Sequence, residues 1–312
     1  MKNGNLTNLK YIIFEFPTPN KYTTVKTMKY CIAGFNIELL GVTEEKTLSC
    51  LESYAVKNFE KPDLTIKYIE DDSIFVNKDE FIGPYKGWYY KNNNENGYEF
   101  AKFADGVENV ISHIVFDKQS STAVFRNWNI TELIGVDLFY SVFYTISDIY
   151  SFFVLEHDSV VFHSSSIEYN GIGLCFSGKS GTGKSTHTSL WKKYYNTSVI
   201  NDDTPTIKLN DGSAFLCGTP FAGSSGININ KTVPLKAIFF LEQAKENSVA
   251  RLSPSDAFKR FFDETKKPVF KSFVSDIMSF FTKLYNTVPI YLLSCNMEKD
   301  AVETVKNTLN LR

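Results

Sequence analysis

Apolar and polar positions change rhythm along this chain. Over residues 1 to about 130 the apolar runs are short and rich in β-branched and aromatic residues: "KYIIFEF", "MKYCIAGFNIEL", "DLTIKYIE" and "TAVFRNW". Such runs predict strands. "IGPYKGWYYKNNNENGYEF" mixes turn residues with aromatics, and its "NNNENG" portion predicts a hairpin tip. From 133 to 155, "LIGVDLFYSVFYTISDIYSFFVL" is strongly apolar, but Asp137 and Asp148 interrupt it, with Ser141, Thr145, Ser147 and Ser151 interspersed. A membrane span disfavours such charges, so the stretch predicts a buried core helix. Beyond it come the strand candidates "SVVFH", "GIGLCFSG", "SVIND", "PTIKL", "SAFLCG", "KAIFFLE" and "PIYLLSC". Helical spacing follows "SGTG" and recurs at about 254–265, 273–286 and 298–309. Strands interleaved with helices predict an α/β domain with ligands at the carboxyl ends of strands. The expected organisation is a β-rich α+β region over 1–132 and an α/β domain over 133–312, with no proline- or serine-rich linker between them.

One stretch in the second region carries specific chemistry. In "FSGKSGTGKST", residues 176–186, Gly178, Gly183, Lys184 and Ser185 satisfy G-x-x-x-x-G-K-[ST]. Glycines let successive backbone N–H groups turn into one hollow that suits phosphate oxygens. The lysine adds a cation toward the β- and γ-phosphates, and the serine hydroxyl can ligate Mg²⁺. The motif needs a strand before it and a helix after it, and "GIGLCFSG" and "KSTHTSLWKKYY" supply both patterns. Gly178, Lys179, Ser180, Gly181, Thr182, Gly183, Lys184, Ser185 and Thr186 are therefore the expected nucleotide-binding residues.

Composition narrows the class. With 43% hydrophobic and 22% charged residues the chain reads as globular. A net charge of −2 offers no basic field for nucleic acid. Five scattered cysteines, at 31, 50, 175, 217 and 295, show no metal spacing and fit a reducing interior. The first residues carry no long apolar run with a small-residue cleavage site, so a cytoplasmic protein is expected, with no membrane partner.

A phosphate loop binds without naming a reaction. Phosphoryl transfer also needs a metal-holding acid and a group that orients or deprotonates the acceptor. "SVINDDTP" offers Asp202 and Asp203 at a strand end, where the turn could aim both at one site. One could support Mg²⁺ while the other takes the acceptor proton. The plain alternative is a solvated turn. His163 closes "SVVFH" and could orient the acceptor, touch phosphate or bond the acid pair. His187 is structural or near the nucleotide, and His113 and His157 have no supporting pattern. Gly218, Gly223 and Gly226, with Thr219, Ser224 and Ser225, form a second glycine-rich loop that is either a substrate loop or a polar crossover. Arg251 could clamp phosphate or face solvent.

These pieces together resemble a known family. "HSSSIEYNGIGLCFSGKSGTGKS" followed by "VINDD" is similar to the catalytic domain of HPr kinase/phosphorylase, and "SGTGKST" with the acid pair also resembles ATP-dependent phosphoenolpyruvate carboxykinase. Small bacterial HPr-kinase-like proteins add a "GTPW.G" stretch, read here as Gly218 to Gly223 with Phe221 in place of tryptophan, then "VPLKAIFFLEQ". The resemblance covers about residues 135–310. It implies an α/β P-loop domain of phosphoenolpyruvate-carboxykinase/HPr-kinase type with a mixed sheet. It implies ATP, Mg²⁺ and a hydroxyl acceptor, most readily serine of a peptide or protein, with reversal by phosphate open. In that reading Lys184 neutralises phosphate, Ser185 and Asp203 support Mg²⁺, Asp202 acts as base and His163 orients acceptor or acid. A small-molecule alcohol as acceptor, and a nucleotide switch without turnover, stay open beside it. So does the oligomeric state.

Overall fold

The computed structural model describes residues 26–85, 87–92, 96–103, 110–129, 135, 137–267 and 271–311. The run "KYIIFEF" and the centre of "NNNENG" lie outside the described residues.

The first region forms one mixed sheet. Its elements are β1 (Thr27–Ile32), β2 (Phe35–Leu40), α1 (Glu45–Leu51), β3 (Leu64–Glu70), β4 (Ile82–Tyr85), β5 (Trp88–Asn92), β6 (Gly97–Phe103), β7 (Val110–Asp117) and β8 (Thr122–Asn127). The strand order is β1-β2-β3-β8-β7-β6-β5-β4, with β3 parallel to both β2 and β8. "MKYCIAGFNIEL" is two strands, not one. Ala33 and Gly34 take φ of 52° and 81°, the left-handed pair that a tight hairpin requires. Alternate residues face inward, including Tyr30, Ile37, Leu39, Leu64, Ile66 and Phe125.

The apolar segment becomes α2 (Leu138–Leu155), packed into the core rather than exposed. Asp137 is its N-cap, accepting from the Phe139 N–H at 3.0 Å. Asp148 is a largely buried charge with partners. Lys266 Nζ lies at 2.8 Å, Lys102 Nζ at 3.8 Å, and the Trp88 indole N–H donates at 2.8 Å. Burial works against the Asp148 charge, but Lys266 and Lys102 outweigh it and hold the carboxyl below the usual range. Trp88 is thus an inward side chain.

The second region contains β9 (Ser159–Phe162), β10 (Ser164–Tyr169), β11 (Ile172–Ser177), α3 (Lys184–Tyr195), β12 (Ser198–Asn201), β13 (Thr206–Asn210), β14 (Ser213–Cys217), β15 (Thr232–Gln243), β16 (Ser248–Arg251), α4 (Pro254–Glu264), β17 (Thr265–Lys266), α5 (Lys271–Thr287), β18 (Ile290–Cys295) and α6 (Lys299–Leu309). This second mixed sheet is bent into two groups. β12, β10, β11, β18 and β16 pair around the later part of β15, with β11 and β18 both parallel to it. β14, β13, β9 and β17 pair outward from the first residues of β15. "KAIFFLE" is an unbroken apolar run because β15 is covered on both sides. Ala237, Phe239 and Leu241 pack with Trp191 of α3 and Val302 of α6, while Ile238 and Phe240 belong to the other core.

That other core runs continuously from the first sheet through α2 to α4 and α5. Phe35 meets Phe153 at 5.4 Å between ring centroids, and Tyr98 meets Phe273 at 5.0 Å. One apolar cluster thus holds residues of both regions. The architecture is mixed α/β with two mixed sheets and a β-rich N-terminal region.

Candidate functional site

Two crossings of the bent sheet build the site. His163 is the single residue between β9, in one strand group, and β10, in the other. Asp202, Asp203, Thr204 and Pro205 make the return crossing from β12 to β13. Backbone bonds hold the crossings side by side. Ser164 N–H donates to the Asp203 carbonyl at 2.9 Å, and Phe162 N–H to the Pro205 carbonyl at 3.0 Å.

Asn201 shapes the acidic turn. Fully buried, its side-chain oxygen accepts from the N–H groups of Asp203 at 2.8 Å and Thr204 at 2.7 Å. This is an Asx turn, which aims the two carboxylates by backbone geometry. Its amide group donates to the Thr219 carbonyl at 2.9 Å, and Thr219 Oγ1 donates to the Thr204 carbonyl at 2.7 Å. The second glycine-rich loop is therefore a clamp on the turn. Phe221 wedges against Phe143 and Tyr150, and its carbonyl accepts from the Thr204 hydroxyl. Gly223 N–H donates to Asp202 at 3.2 Å, and the Ser225 hydroxyl donates to the same carboxylate. A Cβ on Gly223 would sit 3.2 Å from Cβ of Asp203, so any side chain there would press on that acid.

The two acids therefore differ. Asp202 is engaged by the clamp. Asp203 has its Oδ1 3.5 Å from His163 Nε2. Burial raises the proton affinity of Asp203, and His163 works in the opposite direction, with Asp202 adding to the rise. The other ring nitrogen of His163, Nδ1, meets Glu264 Oε2 at 2.6 Å.

The motif stretch follows β11 and leads directly into α3, the strand–loop–helix context it requires. Gly178, Gly181 and Gly183 take φ of 142°, 82° and 98°. Lys179, Ser180, Gly181, Ser185 and Thr186 are exposed, while Lys184 is buried. Its ammonium turns back on the loop and donates to the Gly178 carbonyl at 2.8 Å. Burial pulls its pKa down, and the Glu264 and Asp203 carboxylates oppose that pull. Lys184 thus shares one electrostatic neighbourhood with the histidine's two partners. Gln243, at the end of β15, braces the loop by donating to the Gly181 carbonyl at 3.0 Å.

The structure brings together Lys184, His163, Asp203 and, behind the clamp contacts, Asp202. It keeps others apart. His187 is core: its ring packs tilted against Phe176, it accepts from Trp191 Nε1 at 3.2 Å, and burial pushes its pKa down to about 3. Arg251 lies over the Tyr285 and Tyr291 rings and not over a phosphate hollow. Glu264 and Asn201 were not anticipated. Glu264 is 101 residues from His163, and only the pairing of β17 with β9 joins them.

Among the described residues, no group of three or more His, Cys, Asp or Glu is placed to hold a metal by itself. Mg²⁺ does not need one, since it is commonly held by one or two carboxylates with substrate phosphates. The hard-oxygen set of Ser185 and the acidic turn fits that pattern.

A family model described as SynChlorMet cassette protein ScmC matches residues 139–310. No curated protein matches the chain. Among solved structures, the Hpr(Ser) kinase/phosphatase from Coxiella burnetii is similar at 10% identity, with a TM-score of 0.28, covering 47% of this chain and 95% of that one. The resemblance to HPr kinase/phosphorylase is met in the comparisons only to that extent, and the family model's description names no kinase.

Proposed function

The chain belongs to the SynChlorMet cassette protein ScmC family, and we propose that it is an ATP- and Mg²⁺-dependent kinase that phosphorylates a hydroxyl, that of serine in a peptide or protein. One observation carries the reading. Lys184, on a strand–loop–helix with the phosphate-loop motif, shares an electrostatic neighbourhood with Asp203, which contacts His163. In this reading residues 178–186 cradle the nucleotide phosphates, and Lys184 leaves its resting carbonyl for the β- and γ-oxygens. Bound Mg²⁺ would neutralise charge on those oxygens, held by Ser185 and a carboxylate of the turn.

The geometry favours exchanging the roles expected for the two acids. Asp203 takes the acceptor proton, because it faces His163 and burial raises its affinity for a proton. The acceptor oxygen then bonds to the γ-phosphorus as the bond to the β-phosphate oxygen breaks, and ADP leaves. Asp202, steadied by Gly223 and Ser225, is the carboxylate left for the metal. The acceptor has a marked approach. Tyr140 and Tyr144 stand exposed on α2, stacked 5.9 Å apart, and Asp203 is among the charges that act on Tyr144.

The test is incubation of the full chain with γ-labelled ATP, Mg²⁺ and fractionated lysate, then identification of what carries label. Label on a peptide or protein serine that vanishes with Lys184→Ala supports the reading. Label confined to a small alcohol would change the acceptor class. ATP binding with no transfer to any fraction would leave a nucleotide switch.

A further inference from the structure

His163 meets two carboxylates that are not equivalent. Glu264 Oε2 lies 2.6 Å from Nδ1, with only 12% of its side chain exposed; Asp203 Oδ1 lies 3.5 Å from Nε2, with 39% exposed. Glu264 is also held by its backbone. It is the last residue of α4, and the chain passes at once into β17, where Thr265 and Lys266 pair with Phe162 and Val161 of β9. The His163 N–H donates to the Glu264 carbonyl at 2.9 Å. Two residues on, Lys266 is fixed by Asp148 and by the Ser147 hydroxyl, both at 2.8 Å. The same segment therefore touches His163 through main chain and side chain together.

An ionised carboxylate can only accept, so the short contact puts a ring proton on Nδ1. That leaves the Nε2 lone pair turned toward Asp203. In water the neutral histidine side chain favours the opposite form, with the proton on Nε2. A group is therefore needed to select the form in which Nε2 can accept from Asp203 once that acid has taken the acceptor proton. We propose that Glu264 is a positioning residue: its carboxylate holds His163 in the Nδ1–H tautomer and orients Nε2 toward Asp203. The catalytic consequence rests on the kinase reading, while the tautomer does not.

The experiment uses the full chain with ¹⁵N-labelled histidine, at about pH 8, above the ordinary imidazole range. His163→Gln identifies the His163 ring signals. The parent should show a protonated-type Nδ1 and a pyridine-type Nε2. Glu264→Gln, which keeps an acceptor oxygen, should retain that pattern, and Glu264→Ala should lose it. Turnover of Mg-ATP with water as acceptor should fall roughly tenfold or more in Glu264→Ala, in kcat and not in the KM for ATP, as for partners that orient a working imidazole. A pyridine-type Nδ1 in the parent overturns the proposal whether or not the alanine variant folds. So does an unchanged ring pattern in folded Glu264→Ala. Absence of turnover in the parent would count against the kinase reading alone, because the ring signals are read without ATP.

Discussion

The two glycine-rich loops of this protein use the same residue for different ends. In 178–186 the glycines take left-handed backbone angles, and the loop between them is largely open to solvent. In 218–226 the glycines serve close approach: a Cβ on Gly218 would collide with the Ile229 backbone, and one on Gly223 would press on the Asp203 side chain. The first loop keeps its polar groups available to a ligand. The second spends its polar groups on the acidic turn through Thr219, Gly223 and Ser225. One loop is built to receive and the other to hold the chemistry still. Composition alone does not separate them; their partners do.

Substitutions can break or sharpen that contrast. The largest effect is expected at the acid that faces His163. Asp203→Asn should lower turnover roughly 10²- to 10⁴-fold with ATP affinity near that of the parent, since a base acts in the transition state. Steady-state kinetics beside calorimetric ATP titration would check this, and equal turnover would move the base elsewhere. Lys184→Ala should do the reverse and weaken ATP binding itself, by about tenfold or more, because it removes the loop's charge-assisted contact with phosphate. Binding equal to the parent would remove the phosphate-loop assignment.

A paired glycine test is more discriminating. Gly223→Ala should depress kcat while sparing ATP affinity, because it displaces Asp203. Gly181→Ala meets no neighbour but must hold φ near 82°, at a cost of roughly 1–2 kcal/mol. It should weaken ATP binding more than it slows transfer. Identical profiles for the two variants would erase the distinction between the loops.

The smallest effect concerns stability. An unfolded chain protonates His187 near its ordinary value of about 6.5, but the folded chain does so only near about 3. Between those values the unfolded state binds more protons. Stability is retained above about pH 6.5 and falls as pH drops through the window. Urea midpoints across that range should lose part of their acid slope in His187→Gln.

Local signals were the legible ones. The phosphate-loop motif, the flanking strand and helix, and the acid pair lie within one short stretch, so neighbours in sequence are neighbours in space. The polar interruptions of α2 marked it as core, but nothing in its sequence named Lys266, Lys102 and Trp88 as the partners of Asp148. Glu264 was invisible because only the pairing of β17 with β9 carries it to His163. The expected boundary near 132 drew on a change of rhythm, and one apolar cluster takes residues from both sides of it. A fragment of residues 133–312 should therefore fail to fold cooperatively in a urea titration, with the inner face of α2 uncovered.

The one-residue passage at His163 also limits how this chain can change length. A strand presents alternate residues to opposite faces, so one inserted residue there would exchange the two faces along β10. Ile167 would leave its place beside Trp191 and Phe239, and Ser166 would lose its bond to Asn201. Insertions should be admitted at the surface turns after Tyr169 and Asn210, where Gly171 and Gly212 face open space. Natural or engineered variants of this chain should differ in length at those turns and hold the count between Ser159 and Tyr169 constant.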